Sequence, residues 1–172
     1  MRFLRPNEQA PSVHWIDYAR LFHRGYRVLL FDLDNTLCLW RAGELGGATR
    51  KLLRKLLGQG FRIAVLTNAS LPKDHPVAQA LGELGIPLLA RTKKPLPFAF
   101  WRALRLLGAQ KEEAVVIGDQ LLTDVLGGKL AGLYTILVEP LSPREARRTQ
   151  FNRFLERLLG RSTPRAPRGS AR

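Results

Sequence analysis

The chain has 172 residues, suited to one domain or one domain with a tail, and its 45% hydrophobic content excludes a chain too polar to build a core. One cysteine, Cys38, excludes an intramolecular disulfide and fits a reducing cytoplasm, and no run of about 18 apolar residues is present to span a membrane. The formal charge is +14, and its distribution along the chain says more than its size.

In chain order, the opening MRFLRPNEQAP lacks the long apolar core of a secretory signal. Phe3, Leu4, Trp15, Ile16, Leu21 and Phe22 make the first 25 residues more apolar than a loose arm, so this segment is expected to dock on a sheet flank, with contact to lipid as the alternative. The next segment, VLLFDLDNTL, is the most informative. Its apolar run predicts a strand over 28–31, buried on both faces of a parallel sheet, and it ends in Asp32 and Asp34. Ligands of such sheets bind beyond the strands' carboxyl ends, so both acids sit where chemistry is expected. Two carboxylates this close repel each other unless a cation or a shared proton relieves them. The pair also offers a nucleophile beside a proton carrier.

A helix is expected over 48–57, then a strand over 63–66 that ends in Thr67 and Asn68, a helix over 76–84 and a strand over 87–89. RTKKP supplies Lys93 and Lys94 ahead of a helix over 96–107. A strand over 114–117 runs into Gly118 and Asp119, with Asp124 five positions further on, and a helix over 121–131 leads to a last strand over 134–138. Gly58, Gly85, Gly108 and Gly132 fall where the helices are expected to stop. The alternation predicts an α/β fold: a single Rossmann-like three-layer domain with a five-stranded parallel sheet. Neither a G-x-G-x-x-G nor a Walker-type glycine loop is present.

These stretches, taken together, resemble the haloacid dehalogenase (HAD) superfamily, whose motifs begin Asp-x-Asp-x-Thr and continue at three further strand ends. DNTLCLW, KKP, GDQLLTDVLGGKLAGLYTILV and TQFNRFLERLLGR are more narrowly similar to its capless subfamily IIIA phosphatases, the phosphatidylglycerophosphate phosphatase and YqeG-like branch. The resemblance implies a magnesium-dependent phosphatase. Asp32 would form an aspartyl-phosphate, and Asp34 would act as general acid and then activate water. Metal ligands would be the Asp32 carboxylate, the Asp34 backbone carbonyl and the Asp119 carboxylate, with Asp124 supporting the shell or steering the lysine. Thr67 and Asn68 would hold the phosphoryl oxygens and a lysine would offset their charge; Lys94, which precedes Pro95 as the family's lysine usually does, is favoured over Lys93. Asn35 and Thr36 are expected to shape the loop.

Some residues stay outside this pattern. Cys38 reads as packing, His14, His23 and His75 lack metal-ligand spacing, and Trp40 either packs at a sheet edge or faces substrate. Thirty residues separate Thr36 from Thr67 and 25 separate Asn68 from Lys94, too few in either gap for a lid domain of about 50 residues. An uncapped site favours a phosphate carried on something large.

The final 29 residues carry nine arginines against Glu145 and Glu156, a net +7. A capping-box start at Ser142, followed by Phe151, Phe154, Leu155, Leu158 and Leu159 on one face, predicts a basic amphipathic helix over 142–161 after a phosphatase domain over 1–141, with a disordered basic tail over 162–172. Docking on the domain, binding an anionic membrane and contacting nucleic acid or ribosome all remain open for this helix. The expected function is thus hydrolysis of a phosphomonoester, with phosphatidylglycerophosphate first among substrates. A protein, nucleotide or sugar phosphate, or a basic RNA- or ribosome-associated protein with a secondary phosphatase site, are the alternatives. The expected location is the cytoplasm or the inner face of its membrane.

Overall fold

The computed structural model describes residues 4–39 and 42–142. The expected helix over 142–161 and the tail beyond it therefore lie outside the described residues apart from Ser142, as do Phe3 and Trp40.

The strands are β1 (Glu8–Ala10), β2 (Val28–Asp32), β3 (Arg62–Leu66), β4 (Leu88–Leu89), β5 (Ala114–Gly118) and β6 (Tyr134–Val138), all parallel, in the order β1-β6-β5-β2-β3-β4. The sheet thus has six strands where five were expected. The added β1 pairs in register with β6 from Glu8 and Ile136 to Ala10 and Val138. Asn7 fastens this edge, its Oδ1 accepting from the Thr135 backbone N–H at 2.9 Å and from Lys129 Nζ at 2.5 Å.

The helices are α1 (Tyr18–His23), α2 (Gly47–Gly58), α3 (Pro76–Glu83), α4 (Phe98–Leu106) and α5 (Leu126–Leu130). Side chains of β2 alternate between two cores, as a pleated strand requires. Leu29 and Phe31 join Leu21, Leu53, Leu56 and Leu81 from the α1–α3 side, whereas Val28 and Leu30 join Phe100, Ala103 and Leu104 of α4. Three layers result, and no cap domain is evident among the described residues. The N-terminal segment docks: Val13, Ile16 and Leu21 are buried in the first core, while Trp15 stays exposed.

Several boundaries fall one or two residues from expectation, among them α4, which spans Phe98–Leu106 rather than 96–107, and two differences have clear local reasons. Gly58 is the last residue of α2 rather than its stop; Gly60, at φ 94°, makes the left-handed turn that releases the chain towards β3. The helix expected over 121–131 begins as a π-wound segment, Leu121–Val125, before α5. The Val125 N–H reaches the Gln120 carbonyl at 3.2 Å, widening the turn that carries Asp124.

The chain runs outward from β2 through β3 to β4, then returns to β5 on the other side of β2. That reversal opens a crevice at the carboxyl ends of β2 and β5, the place where open α/β sheets take their ligands.

Candidate active site

Asp32 ends β2, Asp119 follows the end of β5, and the π-wound segment turns Asp124 inward. One carboxylate oxygen from each lies within 4.8 Å of the others. Lys94 arrives from the loop after β4 and is buried: its Nζ donates to Asp32 Oδ1 at 2.5 Å, to Asp124 Oδ1 at 2.7 Å and to the Leu66 carbonyl at 3.1 Å. Lys93, by contrast, is exposed and sits at φ 56°. Its left-handed backbone reverses the chain just before Lys94 turns inward.

Asn68 holds that turn. Its Oδ1 accepts from the Lys94 N–H at 2.7 Å and from Thr92 Oγ1 at 2.9 Å, and its Nδ2 donates to the Lys94 carbonyl at 3.0 Å. The side chain of Asn68 is therefore spent on positioning the lysine loop, a task that sequence reasoning did not assign to it, with Thr92 as its unforeseen partner. Thr67 Oγ1 donates to Asp34 Oδ2 at 2.8 Å and accepts from the Ala69 N–H at 2.9 Å, which ties the end of β3 to the acid loop. Asn35 adopts φ 61° and its N–H reaches the Cys38 carbonyl at 2.7 Å, closing the tight loop; Thr36 Oγ1 lies 3.5 Å from Asp119 Oδ1.

Burial pushes the Asp32 carboxyl well above the ordinary carboxylate range; Lys94 pulls the other way, and Asp124 and Asp119 add to the rise. Burial, then the Asp124 charge, raises Asp119 to about 7. Burial also opposes the Lys94 charge, but Asp124 and Asp32 overcome it and hold the ammonium above its usual value. One lysine thus faces three carboxylates, and the cluster lacks positive charge.

A divalent cation fits that deficit. Asp32 Oδ2 is buried and has no hydrogen-bond partner, which is costly unless something positive faces it. Both Asp124 oxygens are engaged, Oδ1 by Lys94 and Oδ2 by the Gln120 N–H at 3.2 Å, so Asp32 Oδ2 and the Asp119 carboxylate are the more available donors. An all-oxygen, carboxylate-rich set suits a hard divalent cation rather than a soft metal.

Gly118 makes this crowding possible. A Cβ there would stand 2.3 Å from Asp124 Oδ2. Gly118→Ala must displace the Asp124 carboxylate, and we expect turnover to fall about 100-fold with a lowered melting temperature, read by a phosphatase assay and thermal unfolding.

Other candidates fall away from the chemistry. Cys38 is buried against the Leu33 carbonyl, and burial pushes its thiol up to about 12, so it packs rather than attacks. His14 and His23 are exposed, and His75 caps α3 by accepting from the Val77 N–H at 3.2 Å.

Comparison with known proteins gives one family. Residues 92–149 match the HAD-hydrolase-like family model. The chain is 36% identical to the probable phosphatase YqeG of Bacillus subtilis over 92% of this chain and 90% of that protein. It is 30% identical to phosphatidylglycerophosphate phosphatase 1 of Arabidopsis thaliana over 84% of this chain, but spans only 43% of that longer protein. An uncharacterized protein from Listeria monocytogenes shares the fold at a TM-score of 0.55 and 21% identity, over 70% of this chain and 84% of that one. With a relative this similar matched almost end to end, the chain belongs to the HAD-like hydrolases, as a phosphatase that cleaves phosphoric monoesters.

Proposed function

We propose that this phosphatase depends on magnesium, works through an aspartyl-phosphate on Asp32, and takes a phosphate carried on an anionic glycerophospholipid of the phosphatidylglycerophosphate kind. The observation that carries the chemistry is the buried, partnerless Asp32 Oδ2 beside Lys94 and Asp119 at the sheet's carboxyl edge.

In this reading an Asp32 carboxylate oxygen attacks phosphorus, and the bond from phosphorus to the alcohol oxygen breaks while Asp34 gives that oxygen its proton. Water then attacks the phosphorus of the aspartyl-phosphate and loses a proton to Asp34, which frees inorganic phosphate and restores Asp32. Before substrate binds, the Thr67 hydroxyl holds the Asp34 carboxylate at the end of β3. Lys94 steadies the Asp32 carboxylate and offsets phosphoryl charge, steered by Asp124. The backbone N–H of Asn68 donates to a phosphoryl oxygen, and the Thr67 hydroxyl does so when its single proton turns from Asp34 to the bound phosphate. Asp32, Asp119 and the Asp34 carbonyl would hold magnesium, which supplies charge neutralisation for the phosphoryl group.

The lipid assignment draws support from the similarity to the Arabidopsis phosphatidylglycerophosphate phosphatase and from a site that no cap covers among the described residues. Phosphate release from phosphatidylglycerophosphate in vesicles, compared with an aryl phosphate and with glycerol phosphate, tests it. The reading expects lipid turnover at least about 100-fold above the other two, since binding energy from remote substrate parts raises turnover. Equal turnover of all three would leave the phosphatase without a lipid preference. For the metal, magnesium at about 100 times its dissociation constant should stabilise the wild type by about 2.7 kcal/mol in thermal unfolding, and Asp119→Asn should lose most of that gain.

A further inference from the structure

The inward face of α4, carrying Ala99, Phe100, Ala103 and Leu104, is fully used in packing on the sheet. Yet the outward face is not an ordinary solvated one. Phe98, Trp101, Arg102, Arg105 and Leu106 are all exposed and recur at i, i+3, i+4, i+7 and i+8, forming a second stripe along the helix. Phe98 is 66% and Leu106 58% exposed, far beyond what the fold needs. Phe98 and Trp101 stack edge to face with ring centroids 5.6 Å apart. The Trp101 indole N–H reaches the Ala131 carbonyl at 3.4 Å, which ties the stripe to the chain just after α5, whose last residue, Leu130, is exposed.

Charge on these elements has one sign. No aspartate or glutamate occurs between Glu83 and Glu112, nor between Asp124 and Glu139, so α4, the loop before it and α5 contribute only cations to the surface. Exposed Lys93 and Leu96 continue the same mixture towards the site. A surface that pairs aromatic and leucine side chains with arginines, and whose own elements carry no carboxylate, is complementary to an interface that is anionic outside and hydrocarbon beneath. Nucleic acid would satisfy the arginines but offers nothing to Leu106 and Leu130.

We infer that the outward face of α4, extended by Leu96 and Leu130, docks on an anionic lipid bilayer. Phe98 opens α4 four residues after Lys94, at the sheet edge that carries Asp32, so docking brings the mouth of the site to the headgroups. This surface would deliver a lipid-borne phosphate without the molecule crossing the membrane. It stands apart from the phosphatase reading, because binding is read without turnover.

The test is sedimentation of the full chain with vesicles of phosphatidylglycerol and phosphatidylcholine in equal parts, and with phosphatidylcholine alone. Three variants are compared with the wild type: Arg102→Glu with Arg105→Glu; Phe98→Ser with Leu106→Ser; and, as a control for net charge, Lys51→Glu with Arg54→Glu on the exposed face of α2 across the sheet. Each should keep wild-type aryl phosphate turnover, which certifies its fold and site. The inference expects binding to the mixed vesicles to fall at least about tenfold in both α4 variants and to change little in the α2 variant. Equal loss in the α2 variant, no loss in either α4 variant, or no binding by the wild type would each overturn it, and unchanged binding to phosphatidylcholine alone would remove its anionic part.

Discussion

Replacing Lys94 with methionine is expected to remove at least about 1000-fold of turnover and to destabilise the protein by about 3–5 kcal/mol, the range for breaking a buried ion pair. The side chain is buried and makes three bonds at once, to Asp32, Asp124 and the Leu66 carbonyl. Methionine fills the volume but leaves two buried carboxylates facing each other with no intervening cation. Burial already raises the Asp32 carboxyl against the pull of Lys94, so losing that pull lets it take up a proton at higher pH, and a protonated Asp32 cannot attack. Thermal unfolding separates the two effects. Magnesium should recover part of the lost stability by replacing positive charge in the cluster, but not the turnover, because the geometry of Asp124 depends on the ammonium.

Asp32→Asn makes the opposite pairing of effects. Turnover should fall at least about 10,000-fold, since an amide oxygen is a poor nucleophile towards phosphorus. Stability should hold or rise. The substitution removes one of the like charges crowded with Asp119 and Asp124, leaves Lys94 paired with Asp124 at 2.7 Å, and replaces an orphaned carboxylate oxygen by a neutral group. A residue whose removal strengthens the fold while abolishing activity is the expected signature of a site kept strained for function. A melting temperature lowered by several degrees would mean that Asp32 is held mainly for structure.

The sequence spoke most clearly where local forces decide the outcome. β2 and β5 were legible within one residue because four or more consecutive apolar side chains need burial on both faces, and the carboxylates at their ends interrupt that need. β1 was not legible: Glu8, Gln9 and Ala10 form no apolar run, and their strand geometry comes from pairing with residues 128 positions away. The π-wound start of the last helix was equally hidden, since it arises from Gln120 and the inward Asp124 rather than from any propensity of Leu121–Val125.

Among candidate site residues, the motif spacing named strand ends that the fold brings together, but not the division of labour between them. Asn68 carries chemistry-bearing atoms on both backbone and side chain, and only the fold reveals that its side chain is consumed by the Lys94 loop. Thr92 gave no signal at all; it matters only because the chain reverses at Lys93. Asp124 joined the carboxylate triangle through a close approach to Gly118 that spacing alone does not encode.

The central claim is that Asp32 becomes phosphorylated during each turnover. The most direct measurement is acid quenching of the wild type during steady-state hydrolysis of an aryl phosphate with magnesium, followed by peptide mass spectrometry. The account predicts a phosphoryl group on the peptide carrying Asp32, localised to that residue, absent from Asp32→Asn and lost after a chase without substrate. A phosphoryl group on another residue, or undiminished turnover by Asp32→Asn, would contradict it.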